Sequence, residues 1–447
     1  MASDPTGGGP EPSPGIPPGI EAGARRCLRA WATAAGLLAA CTLLAGAGPG
    51  TLGVWLRPLD LGTEANAAAW FSACSLLWSG LLMASAAGAL RRVEPAAAAA
   101  TLFLGLVAGA LFVDEAGSLH ERFDLLVPAA WGLSLNGVGA AGAVPVAAAL
   151  AVLFGRRRAL GPAWALLLGA YLLFGAVFAQ ELLEHAVDWP TWLLPLRLLV
   201  EEGTELCGFF LLLTAAVRLR VAASAASGGA GGAGGAAGGW GPVLPDRGVL
   251  VGASLVGAAL GPPLIALSLS IPFPELSLAN RGNFGSTMQV AVFLAAGGLC
   301  LRRAAGGGGR AWVGLAAGCV GLSLLQNWHA YADATRLLTG RPTAYPWRAC
   351  FDVVWALPVF ACVAWRRGRR GGPPVWLFAA LVPVWLACVA AAARGGFLLS
   401  YASSWAAAVA VAAWVVAATR AAAPVAAGGS ASGGQPPAAG GLERVAA

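Results

Sequence analysis

Apolar residues along this chain gather in long runs, separated by short stretches where arginine, glycine and proline collect. Twelve such runs can be traced, at about 29–47, 67–90, 95–114, 126–154, 162–184, 192–217, 249–271, 286–301, 311–328, 350–365, 375–393 and 397–418. Each is close to the roughly 20 residues that a helix needs to cross a bilayer core. The pattern predicts an all-α protein, a polytopic transmembrane helix bundle of about 12 spans in two six-helix halves. The fourth run contains Gly137, Gly139, Gly142 and Pro145, so a tilted or kinked helix is expected there. The first run resembles a signal peptide ending near Ala45-Gly46-Ala47, but its length favours a retained span.

The arginines orient this arrangement. With twelve spans and the N-terminus inside, cytoplasmic segments hold twenty arginines and outer segments hold eight. That asymmetry follows the positive-inside rule and places both termini in the cytoplasm. The expected organisation is a disordered cytoplasmic tail at 1–24, a six-helix membrane half at 25–221, and a Gly/Ala-rich cytoplasmic linker at 222–247. A second six-helix half at 248–420 and a disordered tail at 421–447 complete the chain. Residues 114–126 fall over 326–338 at a constant offset of 212, with Glu121 over Asp333, so the second half reads as a degenerate parallel repeat of the first.

Composition narrows the class. Of 447 residues 58% are hydrophobic and only 11% charged, too little charge for a soluble protein of this length. All 28 basic residues are arginine, which with the abundant Ala, Gly and Pro points to a GC-rich bacterial genome. The net charge of +7 therefore implies no nucleic-acid partner; the expected partner is the lipid bilayer of a bacterial cytoplasmic (inner) membrane. The nine cysteines are dispersed without a Cys-x-x-Cys pair and read as packing residues, and the eighteen tryptophans mostly as interfacial anchors.

The candidate chemistry is concentrated in one region. Ten of the 21 acidic residues lie between 114 and 205: Asp114, Glu115, Glu121, Asp124, Glu181, Glu184, Asp188, Glu201, Glu202 and Glu205. His120 and His185 accompany them. Counted from the cytoplasmic ends of their segments, Asp114, Glu181 and Glu201 each lie about 25 Å deep, near the outer face. Glu181, Glu184, His185 and Asp188 are spaced i, i+3, i+4, i+7 and share a helix face, as do Glu201 and Glu205, while Glu202 points about 100° aside. Carboxylates in a membrane are costly unless paired, protonated, hydrated or metal-bound. Several carboxylates with one or two imidazoles suit Zn, Mn or Fe. A buried polar network that only fixes helix packing is the plainer account. His120-Glu121-Arg122-Phe123-Asp124 lacks the second histidine of a zinc-protease motif, which discounts a protease. Asn327, His329 and Asp333 read as an ordinary polar loop near the outer end of the ninth run.

Three blocks carry a resemblance. Asp60, Glu64 and Asn66 with Trp70-Phe71-Ser72 form the first, Asp114-Glu115 with His120-Glu121 the second, and Glu201-Glu202 with Glu205 and Gly208 the third. In order and spacing they resemble an uncharacterised family of bacterial multi-span membrane proteins, over about residues 50–220. The resemblance implies where a site lies, not what reaction occurs there. A fainter likeness runs to the alkaline ceramidase superfamily of seven-span zinc amidases, whose paired histidines have no counterpart here.

Two expectations follow. In the first, Glu115, His120, Glu181, Glu184, His185, Glu201 and Glu205 supply ligands to a divalent metal. Glu202 or Asp114 then serves as general base on bound water in a membrane-embedded hydrolase or redox enzyme. Its substrate would be a lipid or small molecule arriving from the extracytoplasmic side. In the second, the protein is a proton- or cation-coupled secondary transporter, in keeping with the six-plus-six layout.

Overall fold

The structure is a computed structural model that describes residues 18–47, 67–117, 135–186, 189–190, 193–226, 244–270, 284–308, 310–328 and 397–421. Among these residues all regular structure is helical. In chain order the long helices are α1 (Pro18–Ala47), α2 (Ala67–Leu90), α3 (Pro95–Gly117), α4 (Leu135–Gly155) and α5 (Ala163–Ala186). They continue as α6 (Leu194–Ala226), α7 (Arg247–Ser270), α8 (Phe284–Arg303), α9 (Arg310–Trp328) and α10 (Phe397–Ala421). These ten helices fall on ten of the twelve apolar runs; the runs at 350–365 and 375–393 lie outside the described residues. Five helices, α2, α3, α5, α6 and α8, are long and apolar enough to cross a bilayer, and they make this a helical membrane protein.

Two boundaries differ from expectation. α1 begins at Pro18, so residues 18–24 are helical rather than part of a tail. Proline is tolerated at the first helical position, where its missing N–H has no helical partner to lose. α6 continues to Ala226, and residues 244–246 are packed against the bundle, so the expected linker 222–247 is structured at both ends. α4 runs unbroken through Pro145.

Packing follows from small residues. In α2 the buried positions are mainly Ala, Ser, Gly and Leu, and the helix packs against α3, α6, α7 and α9. Three of its four serines are satisfied within the helix: Ser75, Ser79 and Ser85 donate to the carbonyls of Phe71, Ser75 and Leu81 at 2.9, 2.7 and 2.9 Å. Such back-bonding lets hydroxyls sit where no water competes. At the α2–α3 crossing Gly80 and Gly105 meet backbone to backbone; a Cβ on Gly80 would stand 2.8 Å from the Gly105 carbonyl oxygen. Close small-residue crossings of this kind replace the hydrophobic drive that lipid cannot supply.

α3, α4, α5 and α6 follow one another around α2, and α1 lies against α6. The remaining helices gather on α8, which contacts α7, α9 and α10. The two groups meet along α2, against which α7 and α9 lie, and where α8 reaches α3. Gly298 of α8 faces Trp78 of α2, and the Trp70 indole N–H donates to Ser323 Oγ of α9 at 3.0 Å. Leu168, Leu172 and Leu183 of α5 and Val144, Val152 and Phe154 of α4 are exposed, an apolar surface suited to lipid.

Candidate functional site at the acidic end of the bundle

Helix direction decides whether the carboxylates can meet. α2 and α6 run parallel, because Trp31 bridges Phe71 and Phe210 while Asp246 bridges Ser85 and Arg220 further along both helices. α3 follows α2 through a tight turn and packs against it, and α5 pairs with α6 in the same way, so α3 and α5 run together, opposite to α2 and α6. The last turns of α3 and α5 therefore share one end of the bundle with the start of α6.

Contacts fix the register. Phe174 packs on Gly208 and Phe209, and Leu211 on Gly169, which sets the backbone of Glu181 beside residues 200–201 in the antiparallel α5–α6 pair. The Tyr171 hydroxyl donates to the Leu104 carbonyl at 3.3 Å. Asp114 and Glu181 each lie ten residues, about 15 Å, beyond that bond, with a stagger of about one turn from the length of the phenol. Asp114, Glu115, Glu181, Glu184, His185, Glu201, Glu202 and Glu205 are thus brought to one end of the molecule.

Described side chains give the local detail. Asp114 and Glu115 in the last turn of α3 are half-buried, as are Glu201, Glu202 and Glu205 in the early turns of α6. Arg197 Nη2 stands 4.0 Å from Glu201 Oε2, one turn away along α6, with both side chains largely covered. The backbone of Glu181, Glu184 and His185 is helical, so the i, i+3, i+4 spacing is kept, but their side chains lie outside the described atoms. His120, Glu121, Asp124 and Asp188 lie outside the described residues altogether, as do Asp60, Glu64, Asn66, His329 and Asp333. Among the described residues no group of three or more His, Cys, Asp or Glu could hold a metal ion. The fit of the expected ligand set to a metal rests on its donor chemistry, which mixes carboxylates with imidazoles.

Helix dipoles add to the negative charge at this end. The C-termini of α3 and α5 present the negative ends of their helix dipoles, and Asp114, Glu115, Glu181 and Glu184 add carboxylates to those ends. The carboxylates of α6 stand two or more turns past its N-terminus, outside the reach of that helix's own dipole.

The opposite end of the bundle holds arginines paired with two lone acids, a constellation the sequence reading overlooked. Asp246 Oδ1 accepts from Arg220 Nη2 at 2.6 Å and stands 3.5 Å from Arg302 Nη2. Its backbone N–H donates to Ser85 Oγ at 2.8 Å, and Arg302 Nη1 donates to the carbonyls of Leu244 and Pro245 at 3.4 and 3.0 Å. Glu94 Oε2 pairs with Arg156 at 3.2 Å between neighbouring turns. A sequence signal existed: Asp246 is the sole acid between Glu205 and Glu275, and Glu94 the sole acid between Glu64 and Asp114.

No curated protein and no solved structure matches this chain. A domain of unknown function (DUF8692) matches residues 29–219, a stretch that runs from within α1 to the last turns of α6, holds the whole acidic end and includes no part of α7–α10.

Proposed function

We propose that the acidic end of α3, α5 and α6 is a divalent-cation site, and that the protein is a membrane-embedded hydrolase or redox enzyme working on a lipid or small molecule from the extracytoplasmic side. The observation that carries this reading is the convergence of two helix C-termini, already negative, with the carboxylates of three helices. Glu115, His120, Glu181, Glu184, His185, Glu201 and Glu205 are the ligand candidates. Glu202, about 100° from the face shared by Glu201 and Glu205, is one candidate base for bound water, and Asp114 is the other. Bound metal would supply an activated water or a Lewis acid. Twelve spans, both termini in the cytoplasm and residence in a bacterial inner membrane complete the proposal, supported by the arginine asymmetry of twenty against eight.

The test is metal content. Elemental mass spectrometry on detergent-purified protein should find a stoichiometric transition metal in the wild type and none in a Glu181→Ala/His185→Ala double variant. Equal metal in both would exclude these ligands. No metal in either would favour the second reading, a proton- or cation-coupled carrier, whose support is the packing of two helix groups across α2. Flux in proteoliposomes that ignores both pH and carboxylate substitution would end that reading as well.

A further inference from the structure

Three helices and one short segment converge at the arginine end, and they come from both helix groups. Ser85 lies on α2 and Arg220 on α6, whereas Arg302 lies on α8. Asp246 sits between them and its carbonyl accepts from Leu250 N–H at 3.0 Å, which opens the first turn of α7. The Arg220 side chain is only 9% exposed, while Arg302 and Asp246 are about one-third exposed. Arg220 Nη1 also donates to Ser224 Oγ at 2.8 Å, which holds the guanidinium in place along α6.

The charge arithmetic makes Asp246 the keystone. Two guanidinium groups face one carboxylate, so each arginine is stabilised by Asp246 and destabilised by the other. Without the carboxylate, two like charges remain, one of them nearly buried. Other contacts between the groups, Trp78 on Gly298 and Trp70 with Ser323, stand progressively further toward the acidic end.

We infer that Asp246 is an electrostatic latch that holds the α7–α10 group against the α1–α6 group at the arginine end. Its removal lets the two groups part there while the contacts near Trp70 remain closed. The latch is independent of what the acidic end binds.

Hydrogen–deuterium exchange on the full-length protein in nanodiscs tests this with Asp246→Ala and the isosteric Asp246→Asn. The latch predicts exchange about tenfold faster in Asp246→Ala at the arginine ends of α2, α7 and α8, with residues 67–75 and 320–328 unchanged. Asp246→Asn keeps an acceptor but loses the charge, and about threefold is expected at the same sites. If Asp246→Ala does not fold, Asp246→Asn decides the matter alone. Unchanged exchange at the arginine end would overturn the latch. An equal rise at both ends would overturn it too, since Asp246 would then support the fold as a whole.

Discussion

The two ends of this bundle handle charge in opposite ways. At the arginine end positive groups are in excess, and each lone acid is placed within reach of them: Asp246 between Arg220 and Arg302, Glu94 beside Arg156. At the acidic end carboxylates from three helices collect, two of the helices contribute negative termini, and Arg197 faces Glu201 at 4.0 Å. Carboxylates gathered at one end of an apolar bundle are the feature on which the proposed cation site rests.

The widest separation between the ends should appear on ligand removal. Replacing Glu181 and His185 together is expected to abolish metal binding, whereas Asp246→Asn, at the far end, should leave metal content within about twofold. Metal loss in both variants would erase the distinction. The crossing that joins the ends comes next. Gly80→Leu puts a side chain where a Cβ already meets the Gly105 carbonyl at 2.8 Å, and about 3 kcal/mol of stability should be lost in equilibrium unfolding from mixed micelles. By contrast, Gly175→Ala in α5 meets nothing within 4 Å and should be nearly neutral.

Within the arginine end the same comparison can be sharpened. Asp246→Asn should cost about 2 kcal/mol, because Arg220 is 9% exposed and loses a charged partner. Arg156→Ala breaks an ion pair whose side chains are 52% and 32% exposed, so about 0.5 kcal/mol or less is expected. Raising salt should shrink the second difference more than the first, since exposed pairs are screened and buried ones are not. Equal costs and equal salt responses would show that burial does not distinguish these pairs.

The sequence made much of this legible. Helix positions from α2 to α9 were readable because lipid demands long apolar runs, and the chain breaks them only at polar turns. Residue counts along α3, α5 and α6, at about 1.5 Å each, also anticipated that Asp114, Glu181 and Glu201 gather toward one end of these helices. The start of α1 was not, since the Pro/Gly-rich stretch before Arg25 looks equally like a tail, and only the helix itself shows Pro18 in its first turn.

Class, helix placement and the concentration of acids are properties of local pattern, which a bilayer enforces because each span must satisfy its own backbone. Direction and partnership belong to the tertiary structure. Arg220, Asp246 and Arg302 are separated by 26 and 56 positions, and nothing in their spacing shows that they meet. They became a unit only when α2, α6 and α8 packed closely enough for glycine and serine to let their ends converge. The same packing turned Tyr171, an ordinary apolar-helix residue by sequence, into the bond that ties α5 to α3 below the acidic end.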